Sequence, residues 1–383
     1  MTPIMILCSI LFSLTTAWAD FPVIDQLDVV PNDPRLKGPI DVSKPGELTI
    51  ASFNVRNLGS RQRSLKDFEA IVDLIDEADV VMVQEAGLGV YDGRKVSNPE
   101  RERLDAVVAV FQMYLGSGWV VTRAVRPSGT GAGRETAMLA YRRQAMGYSM
   151  DATWAGYVDL GEKRDMATFR LTLIQDETAN AKDLLLGSVH LTPDDPDRGS
   201  QMIKVAAWME GQSDERAIAM GDFNWGYRKK SGVENYRGEA QIRALHENGK
   251  LFQVFHALSY EGASKDQQLR TNMGFRKKGY FYDQFLLTPI LASEMADGGK
   301  FLEDCGLIAF GVHYRHMKDV TKRAMKRRQY GLDRFIKNAA INTEETHTKA
   351  YAKTLREIER QAKNDATWIL SDHRVIWMQL KVW

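Results

Sequence analysis

Three polar side chains follow two apolar runs near the middle of the chain. The first run, residues 187–191, contains His190, and the second, residues 219–224, contains Asp222 and Asn224. Histidine titrates near neutral pH, and carboxylate and amide groups can hold a water molecule or a phosphate oxygen. Two strands that bring such groups to one edge of a sheet have the layout of a hydrolytic site on rigid elements.

His190 and His373 are the candidate proton carriers. A pair of histidines can supply a base on one side of a scissile bond and an acid on the other. A lone histidine at a strand end is more often structural, so the prediction depends on the presence of two, with carboxylates available elsewhere in the chain. The sequence leaves open which of the two is the base.

Glu85 is the first candidate for a metal ligand. It follows the apolar run 80–83, which predicts a buried strand that stops at a carboxylate. A phosphodiester resists attack because its negative charge repels nucleophiles, so a catalyst must neutralise that charge. Carboxylate oxygens suit a hard divalent cation, here Mg or Mn, with Ca as a further option. The alternative for a single carboxylate is a cap on an exposed strand end.

The elements that must position these residues are many strands and a few helices. Strands are predicted at residues 48–56, 79–85, 119–122, 136–142, 166–174, 184–191, 219–224, 280–287 and 375–382, and helices at 64–77, 101–115 and 201–209. This proportion favours an α+β sandwich over a parallel doubly wound sheet.

Residues 1–19 are predicted to be a signal peptide. An apolar run leads to a small-x-small cleavage pattern at residues 17–19 and is too short to span a membrane. An uncleaved anchor is the alternative. Residues 20–47 are rich in Pro, Asp and Gly without a sustained period, which predicts an extended arm. We therefore expect a periplasmic or secreted protein without stable membrane insertion. Its mature chain keeps only Cys305, so it forms no intrachain disulfide.

The formal net charge of +1 conceals one basic segment. Residues 311–363 contain 14 Lys and Arg against 6 Asp and Glu. Their composition favours helix, so we predict a basic helical insertion beside the sandwich. Two interpretations stay open, namely a solvated helical pair and an arm that follows nucleic-acid phosphates.

Six short motifs resemble, in order, those of the endonuclease/exonuclease/phosphatase superfamily, and within it they are most similar to deoxyribonuclease I. The likeness runs from residue 48 to the C-terminus with one interruption, and the motifs lie at residues 52–56, 83–85, 188–190, 221–224, 282–283 and 371–373. Six motifs in order are far more specific than any one of them. The resemblance implies a four-layered α/β/β/α sandwich that forms a single catalytic domain over residues 48–383.

The resemblance also implies roles around the two histidines. Asp222 and Asn224 are expected to position the water and the phosphate oxygens. Asp283 matches the carboxylate that pairs with the second histidine, and Glu135 matches the one that holds the first. Each carboxylate would orient its imidazole for proton transfer.

For the metal and the substrate, the resemblance implies five more contacts. Asp372 is expected to be a second acidic metal contact, and Asn54 a neutral partner near the metal. Arg56 and Arg164 correspond to arginines that contact DNA phosphates, and Thr271 lies in a similar region. Arginine offers a planar fork for phosphate oxygens. The alternative for each arginine is a solvated surface charge.

The sequence thus predicts an exported, metal-dependent phosphodiesterase, and more specifically an endonuclease with DNA as its substrate and partner. Two alternatives stay open. A phosphoinositide or sphingomyelin-type phospholipid hydrolase uses the same catalytic set, and a secreted nuclease-like toxin or binding protein keeps the fold with altered activity.

Overall fold

The structure is a computed structural model that describes residues 43, 45–58, 68–87, 98–128, 135–145, 147–161, 164–175, 178, 180–193, 197–225, 237–255, 282–296, 305–307, 373 and 375–381. The predicted signal peptide, most of the N-terminal arm and the basic segment 311–363 lie outside these residues. No helix among the residues described is long and apolar enough to cross a membrane.

The described chain folds into strands and helices in the following order. The strands are β1 (Glu47–Leu58), β2 (Val80–Gly87), β3 (Trp119–Arg123), β4 (Glu135–Arg142), β5 (Gln144–Ala145), β6 (Tyr148–Asp159), β7 (Asp165–Gln175), β8 (Ala181–His190), β9 (Ala217–Asp222), β10 (Phe252–Gln253), β11 (Asp283–Leu287), β12 (Cys305–Leu307) and β13 (Ile376–Lys381). The helices are α1 (Phe68–Asp73), α2 (Asn98–Leu115), α3 (Asp197–Gly211), α4 (Arg237–Glu247) and α5 (Pro289–Ala296).

The strands form two mixed sheets, each with one parallel pair near its centre. Sheet A has the order β12-β13-β1-β2-β4-β3, and sheet B the order β10-β11-β9-β8-β7-β6-β5. β1 and β2 are parallel in sheet A, and β8 and β9 are parallel in sheet B, whereas the other pairings between the described strands are antiparallel. A parallel pair needs a crossover, which α1 supplies in sheet A and α3 in sheet B.

Three apolar clusters separate four layers. One cluster joins the facing surfaces of the two sheets, with Ile50 and Met82 from sheet A and Phe169 and Met220 from sheet B. A second joins the outer face of sheet A to α1 and α2, and a third joins the outer face of sheet B to α3 and α4. The predicted α/β/β/α sandwich is therefore confirmed for the described residues.

On four strands, the side chains that point between the two sheets are apolar at the start of the strand and polar toward its carboxyl end. Side chains alternate between the two faces of a strand, so every second residue of β1, β2, β8 and β9 points into this layer. These residues are Leu48, Ile50, Ser52 and Asn54 on β1, Val80, Met82 and Gln84 on β2, Leu184, Leu186, Ser188 and His190 on β8, and Ile218, Met220 and Asp222 on β9. The core of the sandwich thus ends in buried polar groups at one end.

Several elements were not predicted from the sequence. β6 pairs with β7 over its whole length, with an irregularity between Trp154 and Gly156, and most of its exposed positions are polar. α4 is an amphipathic helix. Among its described side chains, the only buried apolar ones larger than alanine are those of Ile242 and Leu245. Short or half-polar elements such as these carry a weak local signal, because packing against the sandwich stabilises them.

Candidate active site

The candidate site lies where the carboxyl ends of the two parallel strand pairs meet. His190 and Asp222 are register partners at the ends of β8 and β9, and Asn54 and Gln84 are register partners on β1 and β2. Gly221 permits the close approach of β8 and β9, because a Cβ at this residue would clash with the main-chain oxygen of Val189. Its φ of 137° is also one that other residues rarely adopt.

His190 is held by a carboxylate from the opposite sheet. Its Nδ1 lies 2.6 Å from Oε1 of Glu135, and Oε2 of Glu135 forms an ion pair with Nη1 of Arg164 at 3.0 Å. Because an ionised carboxylate can only accept, Nδ1 is the donor, and Nε2 is left to face the site. Burial and the nearby Arg164 lower the pKa of His190, but the charge and hydrogen bond of Glu135 together with the charge of Glu85 act more strongly, so the pKa is raised overall.

His373 has a similar partner on the other side of the site. It precedes β13, and its Nδ1 lies 3.0 Å from Oδ2 of Asp283, the first residue of β11. The ring of Tyr282 lies beside the imidazole, with centroids 6.1 Å apart. The Nε2 of this histidine is therefore also directed away from its carboxylate partner and into the site.

Asp222 stands between the two imidazoles. Its Oδ2 is 3.6 Å from Nε2 of His190 and 3.6 Å from Nε2 of His373. Both distances are slightly longer than a hydrogen bond. Burial, reinforced by the charge of Asp283, raises the pKa of Asp222 to about 6, although both histidines act in the opposite direction. The two imidazoles thus converge on one buried carboxylate.

Asn54 connects Asp222 to Glu85. Its Nδ2 donates to Oε1 of Glu85 at 3.0 Å and to Oδ2 of Asp222 at 3.2 Å, while its Oδ1 accepts the backbone N–H of Arg56 at 3.0 Å. Burial would raise the pKa of Glu85, but His190 and the amide of Asn54 lower it overall. Glu85 is therefore ionised at neutral pH and shares a donor with Asp222.

The backbone is strained at three points of this site. Among the residues that the structure describes, the non-glycine residues with positive φ are Arg56 at 49°, Glu85 at 56° and Asn224 at 48°. The first two coincide with shifts in the strand register after Asn54 and after Val83. Positive φ is uncommon for residues with a side chain, and such conformations cluster at functional sites. The strain re-aims side chains at the ends of β1 and β2.

The chemistry of the donor set fits a divalent cation. Glu85, Glu135, Asp222 and Asp283 bring four carboxylates to one site, and such a concentration of negative charge favours a bound cation. One oxygen of Glu85 and one of Asp222 converge on the same amide, and such oxygens suit a hard metal ion.

A second buried group also has the composition of a metal site. Ligand atoms of Asp222, Asp283 and His373 lie within 4.8 Å of one another. In that group, however, Asp283 and His373 already bond each other. The oxygens of Glu85 and Asp222 are therefore the better candidates for metal ligands.

The remaining predicted contacts have different outcomes. Arg164, predicted to contact a substrate phosphate, bonds Glu135. The backbone of Arg56 bonds Asn54 at the edge of the site, and its side chain is partly exposed. Asp372 and Thr271 lie outside the described residues.

Two buried polar residues behind the site were not predicted. Arg198 and Gln201 lie in the first turn of α3 and are 3% and 2% exposed. They share a helix face with Met202, Val205 and Met209, which pack on sheet B. Polar residues within the apolar stripe of an amphipathic helix are the signal that points to them.

No protein-family model matches the sequence, and no curated protein sequence matches it. The solved structures to which the chain is similar include an endonuclease/exonuclease/phosphatase from Beutenbergia cavernae, at 12% identity over 88% of this chain and 71% of that chain, with a TM-score of 0.44. Truncated TDP2 from Caenorhabditis elegans matches at 11% identity over 88% of this chain and 98% of that chain, with a TM-score of 0.40.

The catalytic domain of human Nocturnin matches at 12% identity over 70% of this chain and 87% of that chain, with a TM-score of 0.39. At sequence identities this low, the similarity bears on the fold alone, and it assigns no reaction to this chain. The Beutenbergia protein carries the name of the superfamily that the motifs resemble, whereas the finer likeness to deoxyribonuclease I stays a prediction.

Proposed function

We propose that this chain is a divalent-metal-dependent phosphodiesterase that acts on DNA as an endonuclease. The observation that carries the proposal is the pair of imidazoles that face one carboxylate. Each Nδ1 is held by its own carboxylate, and both Nε2 atoms lie 3.6 Å from Oδ2 of Asp222. This arrangement supplies two proton-transfer groups on either side of one position, as hydrolysis requires.

Over one turnover, one histidine accepts a proton and the other donates one. One imidazole accepts a proton at Nε2 from the attacking water as its oxygen bonds to phosphorus. The other imidazole donates its Nε2 proton to the leaving oxygen as the bond from that oxygen to phosphorus breaks. Glu135 and Asp283 stabilise the charged form of their histidines and keep Nε2 directed at the reaction. Asp222 and Asn224 orient the water and the phosphate oxygens.

The metal is assigned to Glu85 and Asp222, with Asn54 fixing both carboxylates and Asp372 as the further predicted contact. When bound, the cation neutralises the charge of the phosphate oxygens and so allows a nucleophile to approach. The protein's own part is to keep the ligand oxygens convergent. The hydrogen bonds from the single amide of Asn54 do this.

The choice of DNA and the export of the protein are supported by the sequence. Arg56, Thr271 and the basic segment 311–363 are suited to a phosphate backbone, whose affinity for cationic side chains does not depend on base sequence. Residues 1–19 have the pattern of a signal peptide, so a periplasmic or secreted location is part of the proposal.

The test measures hydrolysis of supercoiled plasmid, RNA, sphingomyelin and phosphoinositides by the purified protein. We expect plasmid nicking with Mg or Mn and none in EDTA, and Glu85→Gln should lose metal stimulation while staying folded by circular dichroism. Asp183→Asn is the matched control, because Asp183 lies at the other end of β8 from His190 and bonds Arg170 and Thr172.

Full activity in EDTA would contradict metal dependence. Hydrolysis of a lipid substrate without nicking of plasmid would assign the site to the phospholipid alternative.

A further inference from the structure

The first turn of α3 lies directly behind the loops that leave β8 and β9. Nη1 of Arg198 donates to the main-chain oxygen of Asn224 at 3.1 Å, just after β9. Oε1 of Gln201 accepts the backbone N–H of Thr192 at 2.9 Å, just after β8. Residues three apart lie on one face of a helix, so a single turn contacts both loops that carry active-site residues.

The guanidinium of Arg198 is part of a buried ion pair. Its Nη2 lies 3.8 Å from Oε1 of Glu239 on α4, and Glu239 is 5% exposed. A buried ion pair is often no more stabilising than two apolar side chains of similar volume, because both charges lose their hydration. Global stability is therefore a poor explanation for this pair.

The two helices are held at close range around the pair. A Cβ at Gly238 would clash with the side chain of Met202 and would lie 2.6 Å from the main-chain oxygen of Gly199. No side chain fits at Gly238, so α3 and α4 meet with their backbones nearly in contact. Such a contact leaves little freedom to Glu239, the next residue, and hence to Arg198.

The hydrogen bond from Arg198 ends on one of the three strained residues of the site. Asn224 has a φ of 48°, its backbone N–H donates to Oδ1 of Asp222 at 2.8 Å, and its Nδ2 donates to the main-chain oxygen of Leu191 at 2.8 Å. Together with Arg198, these bonds hold the residue on three sides. Because Oδ1 of Asp222 is tied to this backbone, its Oδ2 is left to face the two imidazoles.

We infer that Arg198, held by Glu239, is a positioning residue of the active site, with Gln201 as its companion. Arg198 keeps Asn224 in its strained conformation and thereby aims Asp222 between His190 and His373. Gln201 fixes the loop that follows His190. The inferred effect on turnover rests on the proposed phosphodiester hydrolysis, whereas the inferred effect on the backbone of Asn224 does not.

The experiment compares Arg198→Met, Arg198→Lys and the double variant Arg198→Met/Glu239→Gln with the wild type. Steady-state kinetics on plasmid, thermal melting, and hydrogen–deuterium exchange of the peptide that contains residues 222–225 are measured for each. Arg243→Met is the matched control, because Arg243 is also an arginine paired with a glutamate, Glu247, but on the exposed face of α4.

For Arg198→Met we expect kcat to fall by about 10- to 100-fold with KM within about twofold, since a small displacement of aligned groups costs rate and not binding. The melting temperature also falls, because the buried carboxylate of Glu239 loses its ion pair with Arg198. The double variant removes that charge and recovers the melting temperature, but it does not recover kcat. Arg198→Lys gives partial rescue, because an ammonium can replace one hydrogen bond but not the planar fork.

Recovery of both kcat and melting temperature in the double variant would overturn the inference, because the pair would then be purely structural. If the wild type hydrolyses no phosphodiester, the proposed function fails separately and hydrogen exchange decides the inference. Faster exchange at residues 222–225 in the double variant, with exchange in β7 unchanged, supports it. Exchange equal to that of the wild type refutes it.

Discussion

The two histidine–carboxylate pairs are built from the same parts, and each spans the two sheets. His190 ends a strand of sheet B, and its partner Glu135 begins a strand of sheet A. His373 precedes a strand of sheet A, and its partner Asp283 begins a strand of sheet B. Each sheet therefore supplies one half of each pair, and neither pair can form until the sheets pack.

The surroundings of the two carboxylates differ. The side chain of Glu135 is 13% exposed and has a second partner in Arg164, whereas that of Asp283 is 2% exposed and lies opposite Asp222 in the strand register. The pKa of His190 is thus set by burial together with the opposing charges of Glu135 and Arg164, while His373 is held by a carboxylate fixed in a buried strand. The first pair is open to electrostatic tuning, and the second is fixed by the backbone.

Removal of either imidazole is expected to have the largest effect on turnover. His190→Ala and His373→Ala should each lower kcat by about 10² to 10⁴-fold, because each removes a proton-transfer group. If the two act as a coupled acid and base, the double variant should be little slower than the slower single variant. The measurement is kcat on plasmid and on a small chromogenic phosphodiester.

His246→Asn is the control for the histidine variants, because His246 lies on the outer side of sheet B, where its Nδ1 accepts the backbone N–H of Gln253 and its ring packs against Phe252. Losses that multiply in the double histidine variant would mean that the two imidazoles act independently.

Removal of the carboxylate charges should show how the two histidine–carboxylate pairs differ. Glu135→Gln and Asp283→Asn are each expected to lower kcat by about 10- to 100-fold, because each imidazole loses its orienting partner. Glu135 raises the pKa of His190, so Glu135→Gln should lower that pKa and move the corresponding limb of the pH–rate profile to lower pH. A profile of kcat/KM against pH for both variants makes the comparison, and an unmoved limb in Glu135→Gln would argue against electrostatic tuning by Glu135.

Removal of Arg164 should have the smallest effect on kcat. It should shift the pKa of His190 in the direction opposite to that expected for Glu135→Gln. The guanidinium lowers the pKa of His190, so Arg164→Met should raise that pKa and move the same limb to higher pH. A loss of about twofold to tenfold in kcat is expected from the loosened Glu135. Arg164→Met thus also separates two roles for this residue. A higher KM for DNA with an unmoved limb would identify Arg164 as the phosphate contact implied by the family resemblance.

Much of the frame could be predicted from the sequence because its signals are local. Strand and helix periods lie within a dozen residues, so most strands of both sheets and three of the five described helices were predicted near their observed positions. The sequence predicted that the ends of β8 and β9 bring His190 and Asp222 to one edge of a sheet, whereas the approach of β1 and β2 to that edge was not predicted. His190, Asp222, Glu85 and Asn54 do lie together there. Their catalytic roles stay predictions.

Only the tertiary structure decided which groups touch. In the sequence, Arg164 and Arg198 are equally plausible as surface charges, yet one bonds Glu135 and the other lies buried behind Asn224. The first contact depends on the packing of the two sheets, and the second depends on the approach of α3 to α4 at Gly238. The positive φ of Glu85 and Asn224 has the same origin, because residues distant in sequence hold a conformation that local preferences disfavour.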